Sequence, residues 1–438
     1  MNKISLDAKD LWEKFSHGLF LNVLLRLKGV IYIPLLVNFI SKEDLGELAY
    51  IKAIVSLLIG VLLLNIPDSS NRIILNIENK LTQQNTINTF TNFSFIFSFT
   101  ILLSFVLTST VFNLFDIKLI LIISTMLFSA LLDKLSKYIF QIFQHTKLIT
   151  LVTLITEYLS LIIVCIVLYY DQYNDILIIL YIHCAFLLLS SFYLFKKLFK
   201  SYPFNPVINF KSIKKVLKIS LYLFPASYSM MIIQSSDFVI IEKYLGLSDL
   251  GIYSFSYSLA GIVSGLSMAV TFFWYSSAVY ASKEQIIKII SFISKISLFT
   301  LIVLISCFYF MTDFVIEIIN SEYKSANNII MILIVGFFIS VLNNIYQGIM
   351  YADGNEKKIL VDTSVIALIN LVLNFIFIPT YGLKFAAFST SFSFILLFIL
   401  RTIYFSKNYL KSSNTSLFFY LFTLTIISLL TITYYLWI

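Results

Sequence analysis

Charge is what this 438-residue chain has least of: Asp, Glu, Lys and Arg make up 12% of it, against 59% hydrophobic residues and a mean hydropathy of +0.92. Soluble domains are about a quarter charged, so a water-soluble globular fold is excluded. Proline (6), glycine (12) and cysteine (3) are scarce as well. With so few breakers, apolar runs reach about 20 residues or more, the length at which a helix crosses about 30 Å of hydrocarbon. A β-barrel would show short alternating segments instead. Cys165, Cys184 and Cys307 lack CxxC spacing and read as small buried hydrophobes, and His17, His145 and His183 have no metal-ligand spacing. There is no G-x-x-x-x-G-K-[ST] loop, which argues against an ATP-driven pump.

The apolar runs predict spans near 17–40, 46–65, 89–112, 119–143, 147–170, 174–195, 219–242, 249–274, 289–311, 327–351, 359–378 and 385–405, followed by a further run, 417–438. With the N-terminus inside, twenty basic residues fall in inward segments and five in outward ones, so N-in topology is expected and the net charge of +8 reflects membrane orientation, with no need for nucleic acid. Residues 1–16 are too polar for a signal-peptide core. Ile4, Ala8, Leu11 and Phe15 recur there opposite Lys3, Asp7, Asp10 and Lys14, which predicts an amphipathic anchor on the inner face.

A basic linker, 196–218, divides a six-span lobe at 17–195 from a second at 219–405, with residues 406–438 carrying the extra hydrophobic helix. Asp44-Leu45-Gly46 recurs as Asp249-Leu250-Gly251, 205 residues on, and Gly60 meets Gly265 at the same offset. In each copy Asp is expected to cap the new helix and Gly to tighten the turn. Six spans separate the copies, so the repeats run in the same direction. The expected fold is an all-α polytopic membrane protein of two parallel six-helix lobes around a central cavity, suited to alternating access. Pro34 and Pro225, in equivalent spans, bend their helices either as gating elements or as static kinks.

The first span carries Arg26 and Lys28 and contains no acid. A charge at bilayer depth is disfavoured by about 2.5–3.5 kcal/mol on insertion scales and marks a substrate path by default. Arg26 and Lys28 are about 200° apart on an ideal helix, so both face one cavity only if the span unwinds near Gly29; otherwise one snorkels or meets a neighbouring helix. In the fourth span Asp133 and Lys137, four apart, form a structural pair, leaving Lys134 to a ligand. Glu157 in the fifth span is a partner for Lys134 or a proton-exchanging group, and Asp237 in the seventh has the same ion-coupling potential, for H+ or Na+. Lys295 reads as a snorkelling residue.

The stretch Asn370-Leu-Val-Leu-Asn374-Phe-Ile-Phe-Ile-Pro379-Thr-Tyr-Gly382-Leu-Lys-Phe-Ala386-Ala387, then Phe388-Ser-Thr390, resembles bacterial polysaccharide repeat-unit flippases of the multidrug/oligosaccharidyl-lipid/polysaccharide exporter superfamily. Asp237, Tyr244-Leu-Gly246 and Asp249-Leu-Gly251-Ile-Tyr253 resemble that superfamily's seventh-to-eighth span junction, and Asp353-Gly-Asn-Glu-Lys357 its loop after the tenth. Phe385 departs from the pattern, which has glycine there.

The resemblance implies an inner-membrane flippase for undecaprenyl-diphosphate-linked oligosaccharide, serving O-antigen or capsule synthesis beside a polymerase and a chain-length regulator, with no cofactor. A diphosphate needs fixed cationic donors. Arg26, Lys28, Lys52 in the second span and Lys134 are the candidates; flippases of this superfamily use first- and second-span cations in the same way. An ion-coupled multidrug exporter of the same fold is the rival within transporters. A glycan polymerase or ligase is the rival enzyme, but such families resemble one another in a large outward catalytic loop, and the longest outward stretch between spans here is 312–326.

Overall fold

The computed structural model describes residue 28 and residues 31–437, apart from 75–76, 78, 143–145, 171–175, 202–207, 281 and 411–414. Among the described residues every regular element is helical. Residues 31–36 are helical, and then come α1 (Lys42–Leu63), α2 (Ile66–Ile74), α3 (Lys80–Val111), α4 (Ile117–Ile142), α5 (Thr146–Tyr170), α6 (Ile176–Ser201), α7 (Phe210–Leu245), α8 (Leu247–Tyr280), α9 (Lys283–Ile319), α10 (Ala326–Ala352), α11 (Glu356–Tyr409) and α12 (Thr415–Trp437). Ten helices among the described residues are long and apolar enough to cross a membrane. The chain is a multi-pass membrane protein.

α11 is counted once among those ten, although its 54 residues would extend about 81 Å as a straight helix, far more than a bilayer needs. Gly382 breaks it at φ 68, ψ −153, a conformation open essentially to glycine alone. The chain turns back on itself there. Ser389 hydrogen-bonds to Asn374 across the break, and the Phe377 and Phe385 rings meet at 4.8 Å. Both pairs straddle Gly382, which is the geometry of a helical hairpin. Phe385, where the resemblance led us to expect glycine, is taken up in this aromatic cluster.

α9 makes the outward stretch expected at 312–326 shorter still. The helix continues to Ile319, and only residues 320–325 separate it from α10. Val315, Ile316, Ile318 and Ile319 keep the run apolar, and the Asn320 backbone N–H caps it on the Ile316 carbonyl. Lysines occupy both ends of the joint between α6 and α7: Lys196, Lys197 and Lys200 end α6, while Lys211, Lys214, Lys215 and Lys218 begin α7.

The chain divides into two compact units, one of residues 1–49 and 236–438 and the other of residues 50–235. In the first, α10 is the central helix, apolar on every side and buried almost throughout, as such a helix must be. Gly336 lets α11 approach it: a Cβ there would lie 2.3 Å from Ser391 Oγ, which itself donates to the Ile332 carbonyl at 2.8 Å. This is the small-residue contact by which membrane helices pack. In the second unit, Phe90, Tyr138, Leu194 and Val216 bring α3, α4, α6 and α7 into one core with Ile66 and Ile74 of α2.

The Asp-Leu-Gly repeat has a different local role from the one expected. Ser41 caps α1: its hydroxyl accepts the Asp44 N–H at 3.1 Å, while Asp44 Oδ2 accepts the Ser41 N–H at 3.2 Å and hydroxyl at 2.7 Å. Asp44 is therefore the third-residue partner in a reciprocal box rather than the cap itself. Gly46 lies inside the helix. The turn before α8 is made by Gly246, at φ 92.

The thiols are less uniform than expected: Cys184 is buried, Cys165 half-buried and Cys307 exposed. Cys307 sits on a mainly apolar groove of the first unit, where hydrocarbon can replace protein as its surroundings. Lys295 lies over the Tyr420 ring of α12, 5.9 Å from its centroid.

Candidate functional site

The 50–235 unit holds a cavity of about 360 Å³ with Lys134 and Lys137 of α4 on its wall. Helical spacing sets the charges. Lys137 Nζ bonds Asp133 Oδ2 at 2.6 Å one turn back, and Ser190 of α6 donates to Asp133 Oδ1 at 2.9 Å. Asp133 is thus held by two helices and neutralises Lys137. Lys134, one residue on, is exposed and brings a second ammonium to the cavity wall.

The remaining wall comes from the end of α1, the turn into α2, and α7. Leu64 and Asn65 adopt left-handed conformations, φ 44 and 55, which cost non-glycine residues energy. Ser220 of α7 bonds the Leu64 carbonyl and Ser70 of α2 bonds the Tyr138 hydroxyl, so both sides of the turn are pinned. Along α7 the Phe224 and Tyr228 rings stack at 5.1 Å with 23° between planes, and Ser227 lies between them in sequence. Pro225 interrupts α7 at this level, having no N–H to give the helix.

The other expected site residues are spread out. Arg26 lies outside the described residues, as do Gly29 and the segment 1–16. Lys28 is half-buried, its Nζ 5.1 Å from the centroid of the Tyr32 ring one turn on. Lys52 of α1 and Glu157 of α5 are half-buried, and neither lines the Lys134 cavity. Pro34 lines the groove of about 570 Å³ in the first unit, where no described lining residue is charged.

Asp237 is fully buried. Its Oδ2 accepts from Tyr253 of α8 at 2.5 Å and Thr390 of α11 at 3.1 Å, and its Oδ1 accepts the Phe238 N–H at 3.0 Å. One carboxylate therefore ties three helices together. Tyr253 and Thr390 had no role assigned from sequence, although both fall in the stretches carrying the family resemblance. The same is true of other motif residues. Asn374 donates to Asn370 Oδ1 at 3.2 Å, and Asp353 accepts from the Tyr404 and Tyr409 hydroxyls at 2.9 and 2.7 Å. Arg401, counted among inward basic residues, is buried and donates to the Asn343 carbonyl at 2.9 Å. These residues build the first unit rather than a ligand surface.

Residues 11–278 match the family model described as "Polysaccharide biosynthesis protein". No curated protein matches the chain. Among solved structures, an inward-facing multidrug resistance MATE family transporter of the MOP superfamily aligns with TM-score 0.68 at 12% identity, covering 88% of this chain and 95% of that one. Lipid II flippase MurJ, in an inward closed conformation, aligns with TM-score 0.53 at 17% identity, covering 97% and 90%. A MATE protein in complex with MaD3S aligns with TM-score 0.52 at 13% identity, covering 89% and 94%. At these identities the likeness is one of fold.

Proposed function

Since the chain belongs to the polysaccharide biosynthesis protein family and shares its fold with MATE transporters and the MurJ flippase, we propose that it is a flippase. Its substrate in this reading is an undecaprenyl-diphosphate-linked oligosaccharide repeat unit, moved from the cytoplasmic to the periplasmic leaflet of the inner membrane for O-antigen or capsule synthesis. The N-terminus is cytoplasmic, and a polymerase and chain-length regulator act on the product.

The observation that carries this reading is the lysine-lined cavity around Lys134. A diphosphate brings about two negative charges into a low-dielectric medium, where fixed cations are worth far more than in water. Lys134 and Lys137 both line that cavity, and Asp133 pairs with Lys137 at 2.6 Å. Arg26, Lys28 and Lys52, in the first two spans, are the further candidates for holding the diphosphate. Pro34 and Pro225 are the bends about which the helices move. Coupling to H+ or Na+ is assigned first to Glu157 and second to Asp237, whose carboxylate is already engaged by three donors. That engagement also weighs against a multidrug exporter, which needs a carboxylate free for a cationic drug.

Complementation of cells lacking the gene tests the reading. Arg26→Ala/Lys28→Ala and Lys134→Ala are expected to reach the membrane at normal levels, to abolish surface glycan, and to build up lipid-linked intermediate on the inner leaflet. Normal glycan display by these variants would remove the site.

A further inference from the structure

We propose that the Lys134 cavity is a two-part site for a glycosyl phosphate, in which the lysines hold phosphate and the faces of Phe224 and Tyr228 hold the first sugar. This rests on the flippase reading and adds a specificity-determining surface to it. Three features support the second half of the site.

The rings line the same cavity as the lysines, from a different helix, and are ordered as a pair, stacked at 5.1 Å one helical turn apart. An aromatic face carries partial negative charge, which suits the polarised C–H face of a pyranose better than it suits a phosphate. A phosphate is therefore directed to Lys134 and a sugar to the rings. Ser227, exposed on the same turn, donates to the Phe224 carbonyl at 3.0 Å, and its oxygen is left to accept from a sugar hydroxyl.

Gly60 seats the platform from the opposite helix. A Cβ there would fall 3.1 Å from Tyr228 Cδ2 and 2.6 Å from Met231 Sδ, so it would push on the ring and on the flexible Met231 side chain beside it. At about 360 Å³ the cavity is within the range of small-molecule sites, about 300–1,000 Å³, and suits a phosphorylated monosaccharide rather than a whole repeat unit.

The test uses purified full-length protein in nanodiscs, titrated with methyl phosphate and with a panel of hexose and N-acetylhexosamine 1-phosphates. At least one sugar phosphate should bind about two- to tenfold tighter than methyl phosphate, the gain expected of an aromatic contact. Tyr228→Leu, Phe224→Leu and Gly60→Ala should lose that preference and keep methyl phosphate affinity. Tyr228→Phe should retain the preference, and Lys134→Ala should weaken every member. Preference surviving in the leucine variants, or absent from the wild type while methyl phosphate binds through Lys134, overturns the sugar platform alone. Methyl phosphate binding that Lys134→Ala leaves unchanged, or no anion binding at all, overturns the platform and the anion cavity beneath it.

Discussion

Gly46 and Gly251 each stand against the backbone of the other's helix. A Cβ on Gly46 would come 1.9 Å from the Leu247 carbonyl oxygen, and one on Gly251 would come 2.1 Å from the Lys42 carbonyl oxygen. Lys42 and Leu247 are themselves 205 residues apart, as are the two glycines, so the contact is reciprocal under the offset of the sequence repeat. The starts of α1 and α8 close on each other only because both positions lack a side chain.

Gly46→Ala and Gly251→Ala should each lower stability by about 1–3 kcal/mol, the cost of forcing atoms into a filled contact where backbone rather than a rotamer must give way. Gly261→Ala, with nothing within 4 Å, is the control and should stay within about 0.5 kcal/mol. Thermal unfolding in detergent reads all three. Equal melting temperatures for the three would show that the close contact is not needed.

The loop before α10 ranks two polar contacts by burial. Lys42 reaches Glu322 at 3.4 Å, but the Glu322 side chain is 66% exposed, and such ion pairs contribute little. Asn320 Nδ2 donates to the Val37 carbonyl at 3.0 Å in partly buried surroundings. Asn320→Ala should cost about 1 kcal/mol or more and Glu322→Gln close to nothing, again by melting temperature. The reverse order would contradict this ranking. Tyr323 beside them is buried, and that burial, reinforced by the Glu322 and Glu43 carboxylates, holds its phenol above the ordinary range. The ring stays neutral, and no ionisation of it should perturb this loop near neutral pH.

At the α11 hairpin, Gly382→Ala should cost about 1–3 kcal/mol through backbone strain alone, because the space around the site is open. Gly261→Ala again serves as the reference. If Gly382→Ala melts with the wild type, the chain does not need the reversal at that residue.

At Asp237, Tyr253→Phe removes one of three donors from a buried carboxylate. The expected loss is about 1.5–3 kcal/mol, with transport per folded molecule unchanged. A variant that melts normally but fails to transport would put Asp237 ahead of Glu157 as the coupling acid.

The long helices were legible because hydrophobicity summed over some 20 residues outweighs any single misplaced residue. Asp133–Lys137 was legible because both members sit on one helix, four apart. Contacts between helices were not. Nothing local links Asp237 to Thr390, 153 residues away, and a glycine announces its backbone freedom without revealing what comes close to it. Gly46 and Gly60 therefore read as turn and repeat markers, whereas each is a place where another helix or ring fits. Phe224 and Tyr228 were hidden by composition, since aromatics make up 17% of the chain and most can be explained by packing or the interface. The family motifs identified the fold and left the substrate open, because their residues are mainly the internal hydrogen bonds of one unit.

The most direct test is leaflet equilibration of a labelled polyprenyl-diphosphate oligosaccharide in vesicles containing the purified protein. The wild type should equilibrate the lipid, while Arg26→Ala/Lys28→Ala and Lys134→Ala should fall to the protein-free rate despite normal melting temperatures. Wild-type rates in those variants would contradict a flippase that carries its diphosphate on cationic side chains.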